Sequence, residues 1–149
     1  MLEMNKKISS ELKVKSRTEN LALIRDFISS KAYAAGLSKE EVENIMLAVD
    51  EACTNVIKHA YKSFPDGEIN ILVEQNTKKF SITIEDFGNS FNPDSVPEPN
   101  LREYHEEKRI GGLGMYLMKT LMDEVEYISV PGKFNKVKLV KHLNVSQNK

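Results

Sequence analysis

Three short clusters in the sequence hold residue types that can do chemistry. Glu51 and Asn55 are four apart and stack on one face of a helix. Such an acid and carboxamide suit a hydrated Mg²⁺, which takes few direct protein ligands and keeps water and phosphate oxygens for the rest. The acid also suits a general base beside a reacting hydroxyl. Two polar residues solvating a helix edge share the same spacing. The second cluster, Glu85-Asp86-Phe87-Gly88, closes a strand pattern. A carboxylate there accepts a hydrogen bond from an exocyclic amine, and the glycine lets a ligand ring approach the backbone; Asp-X-Gly also turns well with no ligand at all. In the third, Gly111, Gly112, Leu113 and Gly114 precede a helical run. Backbone N–H groups at such a helix start attract phosphate, and the same glycines serve equally as a hinge. No Gly-Lys-Ser/Thr follows, so this is not a P-loop, and the long irregular segment before it is unlike a dinucleotide-binding fingerprint.

The elements that must position these clusters are legible from periodicity. Ile8, Ser10, Leu12 and Val14 alternate as a strand. Ser16-Arg-Thr-Glu19 has the form of a capping box opening a helix with Leu21, Ile24, Phe27 and Ile28, which Gly36 is placed to end. A second box, Ser38-Lys-Glu-Glu41, opens a helix expected to run to about Tyr61. Its residues Ile45, Ala48, Val49, Ala52, Val56 and Ala60 form one apolar arc, with Glu51 and Asn55 at the border. Ile69, Ile71 and Val73 mark a strand, Phe80, Ile82 and Ile84 another, with a turn at Gln75 to Lys79. From Phe87 to about Arg109 the periodicity vanishes, and a segment of that length without structure of its own reads as a functional lid or as disorder. A helix from Met115 to Met122 and strands over Glu124 to Val130 and Phe134 to Leu143 close the chain, joined through Pro131-Gly132. This order implies an α+β sandwich with helices on one face of a mixed or antiparallel sheet.

Composition narrows the classes. With 149 residues the chain has the size of one domain. Lys and Arg number 21 against 22 Asp and Glu, a net charge of −1 that does not favour nucleic acid. The lysines of Lys133 to Lys141 alternate with apolar residues and read as a solvated strand face. One cysteine, Cys53, precludes an internal disulfide and is expected to be a small buried residue. The first ten residues hold no apolar run like a signal peptide, and nowhere do about eighteen apolar residues follow one another, so a cytoplasmic protein is expected. His59 reads as a helix-edge residue, while His105 and His142 have no partners at metal-ligand spacing. The stripe Leu117, Met118, Leu121 and Met122 is expected in the core, and Phe91 and Tyr104 suit either a cover over a ligand or idle loop positions.

Taken in order, AVDEACTNVIKHAY (Ala48 to Tyr61), EDFGNSFNPD (Glu85 to Asp94) and GGLGMYLMKTLMDEVEY (Gly111 to Tyr127) resemble the N box and two glycine boxes of the GHKL ATPases. Within that superfamily the chain is similar to the small serine kinases that double as bacterial anti-sigma factors. The likeness implies the two-layer Bergerat fold over residues 1–149, with a mixed, mostly antiparallel sheet and an ATP lid at about 87–111. It implies Glu51 as general base, Asn55 as Mg²⁺ ligand, Asp86 as the partner of the adenine amino group and Gly88 beside the ring. Gly111, Gly112, Leu113 and Gly114 then cradle phosphates, and Lys108 or Arg109 reaches the terminal one. Ser90 stands where the first glycine box usually carries its last glycine. The implied activity is Mg-ATP-dependent phosphorylation of serine or threonine on an anti-sigma-factor antagonist, combined with sequestration of a sigma factor by a homodimer. A non-catalytic ATP-sensing adaptor is the alternative, for which retained Glu51 is the wrong sign. The ATP-binding half of a histidine kinase fits less well, since the first 37 residues offer one strand and one helix rather than a two-helix dimerisation domain.

Overall fold

The computed structural model describes residues 7–61, 66–89 and 112–143, the stretch 112–115 by its backbone only. Strand β1 (Ile8–Lys15) is followed by a 3-10 turn and helix α1 (Leu21–Ala34), then by α2 (Lys39–Asn55), β2 (Glu68–Gln75), β3 (Lys79–Asp86), α3 (Gly112–Leu121), β4 (Glu124–Val130) and β5 (Phe134–His142). The sheet has the order β1-β2-β3-β5-β4. All four pairings are antiparallel, which settles the choice the sequence left open and replaces the expected mixed sheet. The crossover from β3 through α3 to β4 leaves a gap that β5 fills, so β3 and β4 run the same way without touching.

Strict alternation puts one side of every strand against the helices. Ile69, Ile71 and Val73 of β2, Phe80, Ile82 and Ile84 of β3, and Val137 and Leu139 of β5 are buried there. From the helices they meet Ile24, Ile28 and Ala32 of α1, Val42, Ile45, Ala48, Val49 and Ala52 of α2, and Met118 of α3. Helix α2 packs against both α1 and α3 and is the centre of the helical layer. Cys53 is fully buried there, and burial pushes its thiol up to about 12, as expected of a packing residue. Met118 and Met122 are core residues as expected, but Leu117 is exposed, because α3 turns only one face inward.

The local signals fared unequally. The Ser38 box forms in full: Ser38 Oγ accepts the Glu41 amide (3.1 Å), and Glu41 Oε1 accepts the Ser38 amide (3.0 Å). Gly36, at φ +92°, ends α1, with the Leu37 amide returning to Ala32 O. The Ser16 box does not cap α1. Ser16 Oγ instead accepts the amide of Gly67 (3.0 Å), tying the end of β1 to the start of β2, and Arg17 and Asn20 take the helix-start positions. The Lys133 to Lys141 run is the solvated face expected, with two additions. Lys136 sits over the Phe134 ring, and Lys141 Nζ donates to Leu121 O (3.2 Å) at the end of α3. His142 Nε2 lies 2.6 Å from Glu124 Oε2 rather than near a second metal ligand; among the described residues there is no metal-binding cluster. No helix of the described residues is long and apolar enough to cross a membrane.

Candidate active site

The α-helical pattern of α2 stops at Asn55, and Val56–Ala60 continue as a π-helical turn rather than as the uniform helix expected to Tyr61. Such turns are frequent at functional sites. Glu51 and Asn55 close the α-helical part, both half-buried at the border of the apolar arc. Neither side chain makes a hydrogen bond to another described residue, although Asp50 beside them is bound by Arg25 (2.8 Å) on α1.

Asp86 is the opposite case. It ends β3 on the inward face, one step beyond Ile84, and is only 4% exposed. Its Oδ1 accepts the Gly88 amide (2.9 Å) and Nδ2 of Asn135 (2.9 Å). No described residue donates to Oδ2. Burial raises the Asp86 carboxyl above the usual carboxylate range, and the hydrogen bonds from Asn135 and Gly88 pull in the other direction. A buried carboxylate with one oxygen satisfied and the other open is an acceptor waiting for a donor.

The backbone after Asp86 is pinned to the end of the π turn. The Asn89 amide donates to Ala60 O (2.7 Å). A Cβ on Gly88 would collide with that same carbonyl, so glycine is required here by the protein's own packing, whatever it also admits of a ligand. Tyr61, buried at the end of the turn, donates to Glu68 O (2.8 Å) and accepts the Phe87 amide (2.7 Å), clamping β2 to β3. The end of β3 at Asp86 is thereby tied to the π turn that continues α2 beyond Glu51 and Asn55.

Helix α3 begins at Gly112, so Gly112, Leu113 and Gly114 form its first turn, whose backbone N–H groups have no partner within the helix. Helix α3 packs on α2. Lys108, Arg109 and Gly111, with Ser90, Phe91, Tyr104, His105 and the rest of the expected lid over 90–111, lie outside the described residues. The residues that sequence reasoning missed are Asn135, Ser129 and Tyr61. The signal for the first two was a break in alternation: the inward positions of β5 read Asn135, Val137, Leu139, and those of β4 Val125, Tyr127, Ser129, each turning polar at the end where β3 carries Asp86.

Comparison with known proteins identifies the family and the fold. The model of the histidine kinase-like ATPase domain matches residues 14–141. The serine-protein kinase RsbW of Bacillus subtilis is 36% identical over 139 residues, covering 90% of this chain and 85% of its own. That of Listeria innocua is 36% identical over 151 residues, covering 99% and 94%. Among solved structures, the SiaB–SiaC complex of Pseudomonas aeruginosa gives a TM-score of 0.63 at 11% identity, covering 88% of each chain. The RsbU and RsbW domains of a Mycobacterium tuberculosis protein give 0.65 at 12% identity over 90% of this chain, which spans 32% of that longer one. The chain belongs to the histidine kinase-like ATPase family, within its RsbW-like serine-protein kinases.

Proposed function

We propose that the chain binds Mg-ATP at the Asp86 end of the sheet, transfers its γ-phosphoryl to a serine of an anti-sigma-factor antagonist, and itself sequesters a sigma factor, phosphorylation keeping the antagonist from competing for the chain. The observation that carries the nucleotide reading is the buried Asp86 carboxylate, doubly satisfied at Oδ1 and open at Oδ2. The donor set fits the ligand: a carboxylate acceptor for an exocyclic amine, a carboxamide oxygen on Asn55 for Mg²⁺, and the N-terminal amides of α3 for phosphate. Bound Mg-ATP supplies the electrophilic phosphorus, and the protein's share is positioning and charge neutralisation. Asp86 would fix the base, Asn55 would hold the metal, and Gly112 and Gly114 would offer backbone N–H groups to the phosphate chain. Glu51 takes the proton of the serine hydroxyl as its oxygen bonds phosphorus and the bond to the ADP oxygen breaks. By the family likeness, Lys108 or Arg109 would serve the terminal phosphate. The active form in this reading is a cytoplasmic homodimer.

The name serine-protein kinase carried by relatives such as the Bacillus subtilis RsbW supports the transfer step. Incubation with γ-labelled Mg-ATP and a small antagonist protein tests it. Label on one serine of the antagonist, absent with Glu51→Gln, is the expected result. ATP binding without any transfer would leave the adaptor alternative standing.

A further inference from the structure

Asp86, Asn135 and Ser129 face one another in a single row across β3, β5 and β4, because the register pairs Asp86 with Asn135 and Asn135 with Ser129. The surroundings fix which way the carboxamide points. Around Nδ2 of Asn135 lie three acceptors: Asp86 Oδ1 (2.9 Å), Asn89 O (3.2 Å) and Gly88 O (3.3 Å). A carboxylate and two carbonyls only accept, so the nitrogen must face them. The amide oxygen then faces the hydroxyl of Ser129, which donates to it at 2.6 Å. The network has one polarity, from Ser129 through Asn135 to Asp86, and Asn135 is 3% exposed.

Without that donor, the buried Asp86 is held at Oδ1 by the Gly88 amide alone and is drawn toward its neutral form by desolvation. A neutral carboxyl carries an O–H and serves a base with a carbonyl as readily as one with an amine. With Oδ1 held by Asn135 and by the Gly88 amide, Oδ2 is offered as an acceptor in one direction only. A 6-amino purine donates into it, whereas a 6-oxo purine sets lone pair against lone pair.

We infer that Asn135, oriented by Ser129, is a positioning residue that holds Asp86 as a fixed acceptor and so selects nucleotides whose base carries an exocyclic amine. The inference rests on Asp86 being the group that recognises the base. Asn135 and Ser129 act through Asp86 and touch no substrate in this role.

Calorimetric affinities for ATP and for purine riboside triphosphate, which lacks only the 6-amino group, test it in wild type, Asn135→Ala and Ser129→Ala. Wild type is expected to prefer ATP by about tenfold or more, the worth of a hydrogen bond to a charged group. In Asn135→Ala the ratio falls toward one and ATP binds roughly ten- to a hundredfold more weakly. In Ser129→Ala the ratio shrinks about threefold, the loss of one neutral hydrogen bond. Phosphoryl transfer at saturating ATP stays near wild type in both, so the effect is confined to KM. A folded Asn135→Ala that keeps the wild-type ratio overturns the inference. Where a thermal melt shows Asn135→Ala unfolded, Ser129→Ala decides: an unchanged ratio there overturns it, a reduced one upholds it. Equal binding of the two nucleotides by wild type is a different failure, because it removes the base-recognition reading of Asp86 and the inference with it.

Discussion

The two ends of the candidate site are built in opposite ways. At the sheet end, Asp86 is buried and held by Asn135 and Gly88, while Ala60 and Tyr61 lock the backbone on either side of it. On α2, Glu51 and Asn55 are half-buried and bind no other described residue. In the proposed reading the first end is finished before a ligand arrives, so that an acceptor of fixed direction rejects the wrong base. The second end leaves its polar atoms available to the groups that react. Mutations at the two ends should therefore fail differently: one in chemistry, the other in affinity and stability together.

The largest effect is expected from Glu51→Gln. Loss of a general base should lower phosphoryl transfer by roughly 10²- to 10⁴-fold. With no described hydrogen bond to break, melting temperature and ATP affinity should stay close to wild type. Single-turnover transfer beside calorimetry checks both, and a variant as active as wild type would remove Glu51 from the chemistry.

At the other end, acidity separates affinity from stability. Ionised Asp86 is the stronger acceptor for an amine, so ATP affinity should weaken as pH falls through its raised pKa. The ligand-free fold behaves in the reverse sense. Because the folded pKa lies above the unfolded one, Asp86 favours the fold fully below the ordinary carboxylate pKa, and that contribution is lost as pH rises through the folded value. Asp86→Asn should flatten this slope, measured by denaturant unfolding across the same pH range. A slope identical to wild type would place the titration elsewhere.

Backbone packing at the same corner predicts stability losses. Gly88→Ala forces a methyl group into the Ala60 carbonyl and should cost about 1–3 kcal/mol, as overpacking does. Unchanged unfolding free energy would mean that this close approach yields easily. Tyr61→Phe strips the hydroxyl that joins Phe87 and Glu68 and should cost about 1–2 kcal/mol with some loss of ATP affinity, whereas a change confined to stability would uncouple the clamp from Asp86.

The smallest effect belongs to a site far from either end, and it shows what the sequence can and cannot reveal. Ser38→Ala should cost about 1 kcal/mol by removing the N-cap of α2, with no change in nucleotide affinity, as a thermal melt and a titration would register. That box was legible because donor and acceptor lie three residues apart. The Ser16 box had the same spelling and failed because Gly67, distant in sequence by 51 positions, competes for its oxygen. Strands, their inward faces and the apolar arc of α2 were legible for the same reason as Ser38, since periodicity is local. Asp86 stood out through its cluster, but Asn135 and Ser129 gained meaning only when register set them beside it. The strict antiparallel order and the π turn after Asn55 likewise follow from tertiary packing, which no window of sequence contains.

The central claim is that this corner of the sheet holds ATP through Asp86. Calorimetric titration of the folded protein with Mg-ATP, run beside Asp86→Asn, tests it most directly. The account predicts Mg²⁺-dependent binding by wild type and a loss of roughly ten- to a hundredfold or more in a variant that melts no lower than wild type. Absence of binding by wild type at millimolar ATP, or equal binding by Asp86→Asn, would contradict it.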